Sequence, residues 1–247
     1  MEFTYQAYRE MVEELAAYGY ELTGYEPARK RGSDEKWAIL RHDVDFDLKK
    51  AAEFALWESR ELNVRATYFI LLSSDFYNPF SRRGREELRG IQASGHWIGL
   101  HYDERAYGGP QAPEQMKVCV EEEKRRLEEL LGQKVTAVSM HRPSAQALGR
   151  NDVFDGLVNC YGEEYFRHWK YLSDSRRSWK ENPLKVIREG NAPQLQLLTH
   201  PFWYQEREED ARRTLSRFFR RAGVERYDEA SDNLRSIEEF STREEWL

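Results

Sequence analysis

Cysteine is scarce in this 247-residue chain: Cys119 and Cys160 stand alone, in no CxxC or zinc-knuckle spacing, which argues against a disulfide framework and against a cysteine-ligated metal. Two buried thiols of a reduced cytoplasmic protein are expected instead. Long apolar runs are missing as well. No stretch approaches the roughly 20 apolar residues of a membrane span. The N-terminal MEFTYQAYREMVEELAAYGY carries acids throughout and has neither the basic start nor the apolar core of a signal peptide. A soluble protein of the cytoplasm is the expectation. Surplus positive charge is also lacking. With a formal net charge of −6, no excess of lysine and arginine exists to displace counterions from a phosphate backbone, so nucleic acid is not an expected partner. The local clusters EEEKRRLEELLGQK and EREEDARRTLSRFFRRAGVER alternate in sign and read as solvated helix faces. No internal repeat, low-complexity tract or linker divides the chain.

What is present is the composition of one large α/β domain, 40% hydrophobic and 33% charged. Tyr5, Tyr8, Met11, Val12, Leu15 and Tyr18 recur at helical spacing and predict a leading helix, packed on the body of the domain within residues 1–30. A polar loop follows at 26–36. Apolar runs then alternate with charged amphipathic stretches, the pattern of a parallel sheet or barrel with helices outside. Strands are predicted at 36–42, 65–71, 96–102, 135–141 and 195–200, with helices at 47–62, 83–94 and 113–131. In 151–194, DVFDGLVNCYG reads as a short helix, and YFRHWKYLSD and LKVIRE as short strands. EEDARRTLSRFFRRAG reads as a helix with Leu215, Phe218 and Phe219 on its apolar side, and SIEEFSTREEWL as a last one.

Four of the six histidines, His42, His101, His141 and His200, fall at or beside the carboxyl end of a predicted strand. In sheets and barrels of parallel strands, ligands bind at those ends, so the histidines are expected to converge on one pocket. In LRHDVDFD, extended backbone sends Asp43 and Asp45 to one side and His42 and Val44 to the other. One of the two carboxylates can bind a cation while its neighbour takes a proton from water. Asp47 reads as the cap of the next helix. A pair of solvated loop acids is the plainer alternative. His101 closes an apolar strand and is the better ligand candidate of GLHYDE, whereas His96, at the other end of that strand, has a structural turn role. In SMHRPS, Arg142 is placed to hold a catalytic carboxylate, or else forms an ordinary salt bridge. In LLTHPFWY, His200 reads as a proton donor beside Trp203 and Tyr204, rings able to stack on a sugar, with core packing as their alternative.

The order of these motifs resembles the polysaccharide deacetylase family (NodB-homology domains, carbohydrate esterase family 4), over roughly residues 36–204. The resemblance implies a single-domain distorted (β/α) barrel that hydrolyses acyl groups on sugars with a divalent metal. HDVD is similar to a variant of the first motif, which makes Asp43 the base and Asp45 a metal ligand. RATYFIL resembles the second strand. SGHWIGLHYDER aligns His101 with the first metal histidine and puts Arg105 where the second is expected. HRPS implies that Arg142 orients the base. SDSRRSW, a loose match, implies that Asp174 and Trp179 line the pocket, and LTHP implies that His200 is the general acid.

A guanidinium cannot bind a cation and repels one nearby, so Arg105 requires another ligand. His141 is the first choice, ahead of Asp103 and Glu104, and His42 points the wrong way. The leading expectation is a zinc-like ion held by Asp45, His101 and His141, in an enzyme that removes an acetyl-like group from a small-molecule or carrier-linked sugar of surface polysaccharide assembly. Two alternatives stand beside it. One is a metal-independent amidohydrolase acting on a cyclic or ureido compound, with Arg105 stabilising the oxyanion. The other is a catalytically silent sugar-binding homologue.

Overall fold

The computed structural model describes residues 1–25 and 35–247. The predicted loop at 26–36 therefore lies largely outside the described residues. Helix α1 (Tyr5–Ala17) starts where Thr4 accepts a hydrogen bond from the Ala7 amide, and it buries Tyr8, Met11, Val12 and Leu15, the face expected from their spacing. Among the described residues eight strands follow: β1 (Glu21–Leu22), β2 (Trp37–Val44), β3 (Thr67–Leu71), β4 (Trp97–Tyr102), β5 (Ala137–Met140), β6 (Val158–Asn159), β7 (Lys170–Ser173) and β8 (Gln194–Thr199). All pair in parallel, in the order β6-β5-β4-β3-β2-β8-β7, with β1 added at the start of β2. The crossovers are carried mainly by helices α2 (Leu48–Trp57), α3 (Arg82–Ala93), α4 (Pro113–Leu131), α5 (Ala145–Gly149) and α6 (Pro183–Glu189), and α7 (Ala211–Asn233) follows β8.

Alternation along the strands sorts the residues into two cores. Ala38, Leu40 and Val44 of β2, with Leu195 and Leu197 of β8, pack outward in the large cluster shared with the helices. Trp37, Ile39, Phe69, Ala137, Val158 and Cys160 face the other way and form a smaller cluster inside the curved sheet. Curvature is visible in contacts that bridge distant strands: Gln196 of β8 donates to the Cys160 carbonyl just after β6, and Arg41 of β2 donates to Ser139 of β5. Half a barrel of parallel strands ringed by helices results. Gly99 is required by this interior, because a Cβ there would lie 2.4 Å from the Phe69 ring.

Several predicted elements are corrected. LKVIRE is helix α6, since Pro183 occupies its first turn, Asn182 caps it and Gly190 ends it in a left-handed conformation. DVFDGLVNCYG is irregular apart from β6, and the tail after α7 holds two 3-10 turns, Ile237–Glu239 and Arg243–Trp246, in place of a helix. Leu215 is half-buried and Phe218 packs on other rings, but Phe219 is 60% exposed, so the apolar face of α7 is narrower than its sequence implies. Cys160 is buried, Cys119 half-buried, and both are free thiols. Among the described residues no helix is long and apolar enough to cross a membrane.

Candidate active site

The inward column of β2 continues past its apolar residues as Arg41, Asp43 and Asp45, and the equivalent columns of β4, β5 and β8 end on His101, Ser139 with His141, and His200. These ends meet. Asp45 Oδ1, His101 Nε2 and His141 Nδ1 form a triangle with edges of 3.1, 3.2 and 3.3 Å. A tetrahedral ion with bonds of about 2.0–2.1 Å sets its ligands roughly 3.3 Å apart, so the triangle has the size of one face of such a site. The donor set fits as well. His101 Nδ1 lies 2.7 Å from Ser139 Oγ, and a proton placed there leaves Nε2 with its lone pair toward the triangle. Two bare acceptors and a third ring nitrogen then face one another, and a cation satisfies all three. Burial opposes ionisation of Asp45, yet hydrogen bonds from His101 and His141, when these rings carry the facing protons, hold its carboxyl well below the usual range.

Asp43 lies beneath this triangle, Oδ2 3.7 Å from His101 Nε2. Burial disfavours its charge, but Arg41 outweighs that by donating from Nε and Nη2 at 2.9 and 2.8 Å to the two carboxylate oxygens, so Asp43 stays ionised below the ordinary carboxylate range. Arg41 is itself wholly buried, with Phe69 and Tyr161 rings against its guanidinium. Ser139 joins the two halves of the site. Its hydroxyl receives Arg41 Nη2 at 2.9 Å and faces Asp43 Oδ1 at 3.4 Å, as well as His101.

On the opposite side, His200 points Nε2 to within 3.7 Å of Asp45 Oδ2 and holds Asp174 through Nδ1 at 2.5 Å. Burial works against a charged imidazole here, but the Asp174 carboxylate more than compensates and the pKa is pushed up to about 9. Asp174 also receives the His200 amide at 3.0 Å and the Tyr204 hydroxyl at 3.2 Å. The floor of the site, Asp43 and His101, is closed to solvent, while the side chains of Asp45, His141 and His200 are 17%, 10% and 12% exposed at its mouth.

Other expected residues fall elsewhere. Arg142 does not orient Asp43: it is exposed, in a left-handed conformation at φ 48°, and Arg41, two residues before Asp43 on the same face, takes that position. Asp174 is fully buried, so it lines no pocket and serves His200 instead. Tyr204 is likewise buried, its ring 5.6 Å from that of Tyr8, and cannot stack on a sugar. Trp179 packs half-buried against the main core, and Trp203 sits half-buried beside Phe202 with ring centroids 4.7 Å apart. Arg105 is exposed on the short turn after β4, where its amide binds Asp103. Glu104 caps Ser144 through the amide at 2.8 Å and the hydroxyl at 3.2 Å, which ties the loop after His101 to the loop after His141.

His42 faces outward, as alternation requires. Its Nδ1 meets Thr199 Oγ1 at 2.6 Å and its Nε2 donates to Glu58 at 3.1 Å, while Tyr8 and Tyr68 each donate to Glu58 at 2.5 Å. His96 accepts the Ala66 amide and donates to the Ala55 carbonyl, the structural role expected of it. Asp47 caps α2 by accepting the Lys50 amide. Arg41, Ser139 and Glu58 were not anticipated. The first two carried a signal: each is polar, two residues before Asp43 or His141, on the inward face of an otherwise apolar strand.

No family model matches the chain, and no curated protein matches it. Among solved structures it is similar to the chitin deacetylase of the fungal pathogen Colletotrichum lindemuthianum, at 14% identity and a TM-score of 0.45 over 73% of this chain and 80% of that one. It is similar to a polysaccharide deacetylase of Bacillus cereus at 15% identity and a TM-score of 0.43, covering 68% and 80%. A CE4 family pseudoenzyme of Bacillus anthracis gives 15% identity and a TM-score of 0.44 over 69% of this chain, which spans only 56% of the length of that one.

Proposed function

We propose that this chain is a single-domain, metal-dependent hydrolase that removes an acetyl-like N-acyl group from a sugar or carrier-linked sugar in surface polysaccharide assembly, acting in the cytoplasm. One observation carries the reading: a ligand triangle of metal-site dimensions lies between a carboxylate held ionised and an imidazole held protonated. Asp45, His101 and His141 would hold the ion. Two imidazoles and a carboxylate suit zinc, which when bound supplies Lewis acidity toward an acyl oxygen and the attacking water.

The protein's own groups supply the proton movements. Asp43 accepts the proton of the attacking water, aligned by Arg41 and kept close to His101. His200, protonated at neutral pH through Asp174, donates from Nε2 to the departing amine, which then leaves neutral. Ser139 fixes the His101 ring for the ion and braces Arg41 for the base. Asp43→Asn and His200→Ala should each lower turnover of an N-acetylated sugar by about 10²-fold or more, with circular dichroism spectra showing an intact fold, although Asp43→Asn leaves the buried Arg41 charge without its partner and lowers the unfolding midpoint. Near-normal rates in either variant remove that residue from the mechanism.

A further inference from the structure

Three groups of the candidate site converge on one buried hydroxyl. Ser139 Oγ lies 2.9 Å from Arg41 Nη2, 2.7 Å from His101 Nδ1 and 3.4 Å from Asp43 Oδ1. A serine hydroxyl has one proton to give and two lone pairs with which to receive. Arg41 only donates, so it always takes one of those lone pairs, and an ionised Asp43 only accepts. His101 can do either. Its tautomer therefore decides where the single Ser139 proton goes.

Two arrangements satisfy these groups. With the His101 proton on Nε2, that nitrogen donates to Asp45 Oδ1 at 3.1 Å, and Nδ1 is left to accept the Ser139 proton at 2.7 Å. With the proton on Nδ1, His101 donates to Ser139 instead. Both Oγ lone pairs are then filled, by His101 and Arg41, and the hydroxyl proton turns to Asp43 Oδ1. That contact, at 3.4 Å, is longer than the usual hydroxyl bond and should tighten when it receives the proton. A cation in the triangle of Asp45, His101 and His141 needs the Nε2 lone pair and excludes a proton there, so it selects the second arrangement.

We infer that Ser139 is a positioning residue that couples the ion to the base: occupancy of His101 Nε2 turns the Ser139 proton from His101 to Asp43, so that Arg41 and Ser139 orient the carboxylate together only when the ion is in place. This rests on the metal-dependent hydrolase reading above, and it makes the bracing by Ser139 conditional on the ion. Imidazole nitrogen NMR of the full chain at mildly alkaline pH, recorded before and after equimolar zinc with His101→Ala to assign the signals, reads the tautomer. The His101 proton should sit on Nε2 before zinc and on Nδ1 after it. Ser139→Ala leaves the Nδ1 proton without its acceptor and should bind zinc about tenfold more weakly. With zinc saturating, the same variant should deacetylate an N-acetylated sugar about tenfold more slowly in kcat, with KM unchanged. Ser139→Thr keeps the hydroxyl and should recover most of both losses. A His101 proton on Nδ1 before zinc, or zinc affinity and kcat unchanged in Ser139→Ala, would each overturn the inference. Failure of the two readings looks different: zinc bound with no change of tautomer sinks the coupling alone, and the expected change of tautomer without deacetylation sinks the hydrolase alone.

Discussion

Asp43 can serve as a base only while it stays ionised in a site closed to solvent, and an isolated buried carboxylate would take up a proton instead. Arg41 resolves that conflict by meeting both carboxylate oxygens from the same strand. Removing one partner of such a pair leaves the other charge buried. Arg41→Ala should therefore cost about 3–5 kcal/mol of stability and most of the activity, whereas exposed Arg142→Ala should stay within about 0.5 kcal/mol; urea unfolding of the two variants decides between them. The acid of the proposed reaction is tuned in the opposite sense. His200 must be protonated to donate, so activity is lost as pH rises through its pKa, pushed up to about 9 by Asp174. Asp174→Asn takes away the supporting charge and should move the alkaline limb of kcat/KM to lower pH; an unmoved limb would show that His200 is not the acid. At this scale the sequence was informative where side-chain type and alternation sufficed, as for Asp45, His101 and His141. It misled for Arg142, because a motif says which residue type is needed and not which guanidinium lies nearest.

The strands and the long helices were legible because their periodicities are strong. The parts that were not share a cause. α6 is short and its β-branched residues suit a strand, so its caps decided the outcome, and Phe219 lies beyond the width of the face that α7 buries. Tertiary contacts between elements were invisible in the sequence. Glu123 on α4 is one: it is buried, accepts the Tyr107 hydroxyl at 2.8 Å through one oxygen, and has no hydrogen-bond partner for the other among the described residues. Burial pushes its pKa up to about 7, although Tyr107 and Arg126 pull the other way. Because the unfolded carboxyl ionises near 4.5, stability falls as pH rises between that value and about 7, and the penalty is complete above it. Glu123→Gln should thus raise stability by up to ~3 kcal/mol at pH 8 and change little at pH 4. Thermal unfolding at both pH values checks this, and a gain independent of pH would refute it.

For the whole molecule, parallel topology is what turns scattered residues into a site. Asp45, His101, His141 and His200 are separated by up to 155 positions in sequence, yet every one ends or follows an inward column of the same curved sheet. The expectation that strand ends converge on one mouth required only a correct strand reading: of the four histidines it named, His101, His141 and His200 meet at Asp45, and His42 faces outward. Arg105 then has a simple account: the turn after β4 carries it outward, and His141 from β5 occupies the third corner of the triangle. The most direct test is the zinc affinity of wild-type protein, Arg105→Ala and His141→Ala, measured side by side. The account predicts about one ion per chain in the first two and binding weakened by about a hundredfold or more in His141→Ala. Wild-type protein that takes up no zinc, or His141→Ala that binds it unchanged, would contradict it.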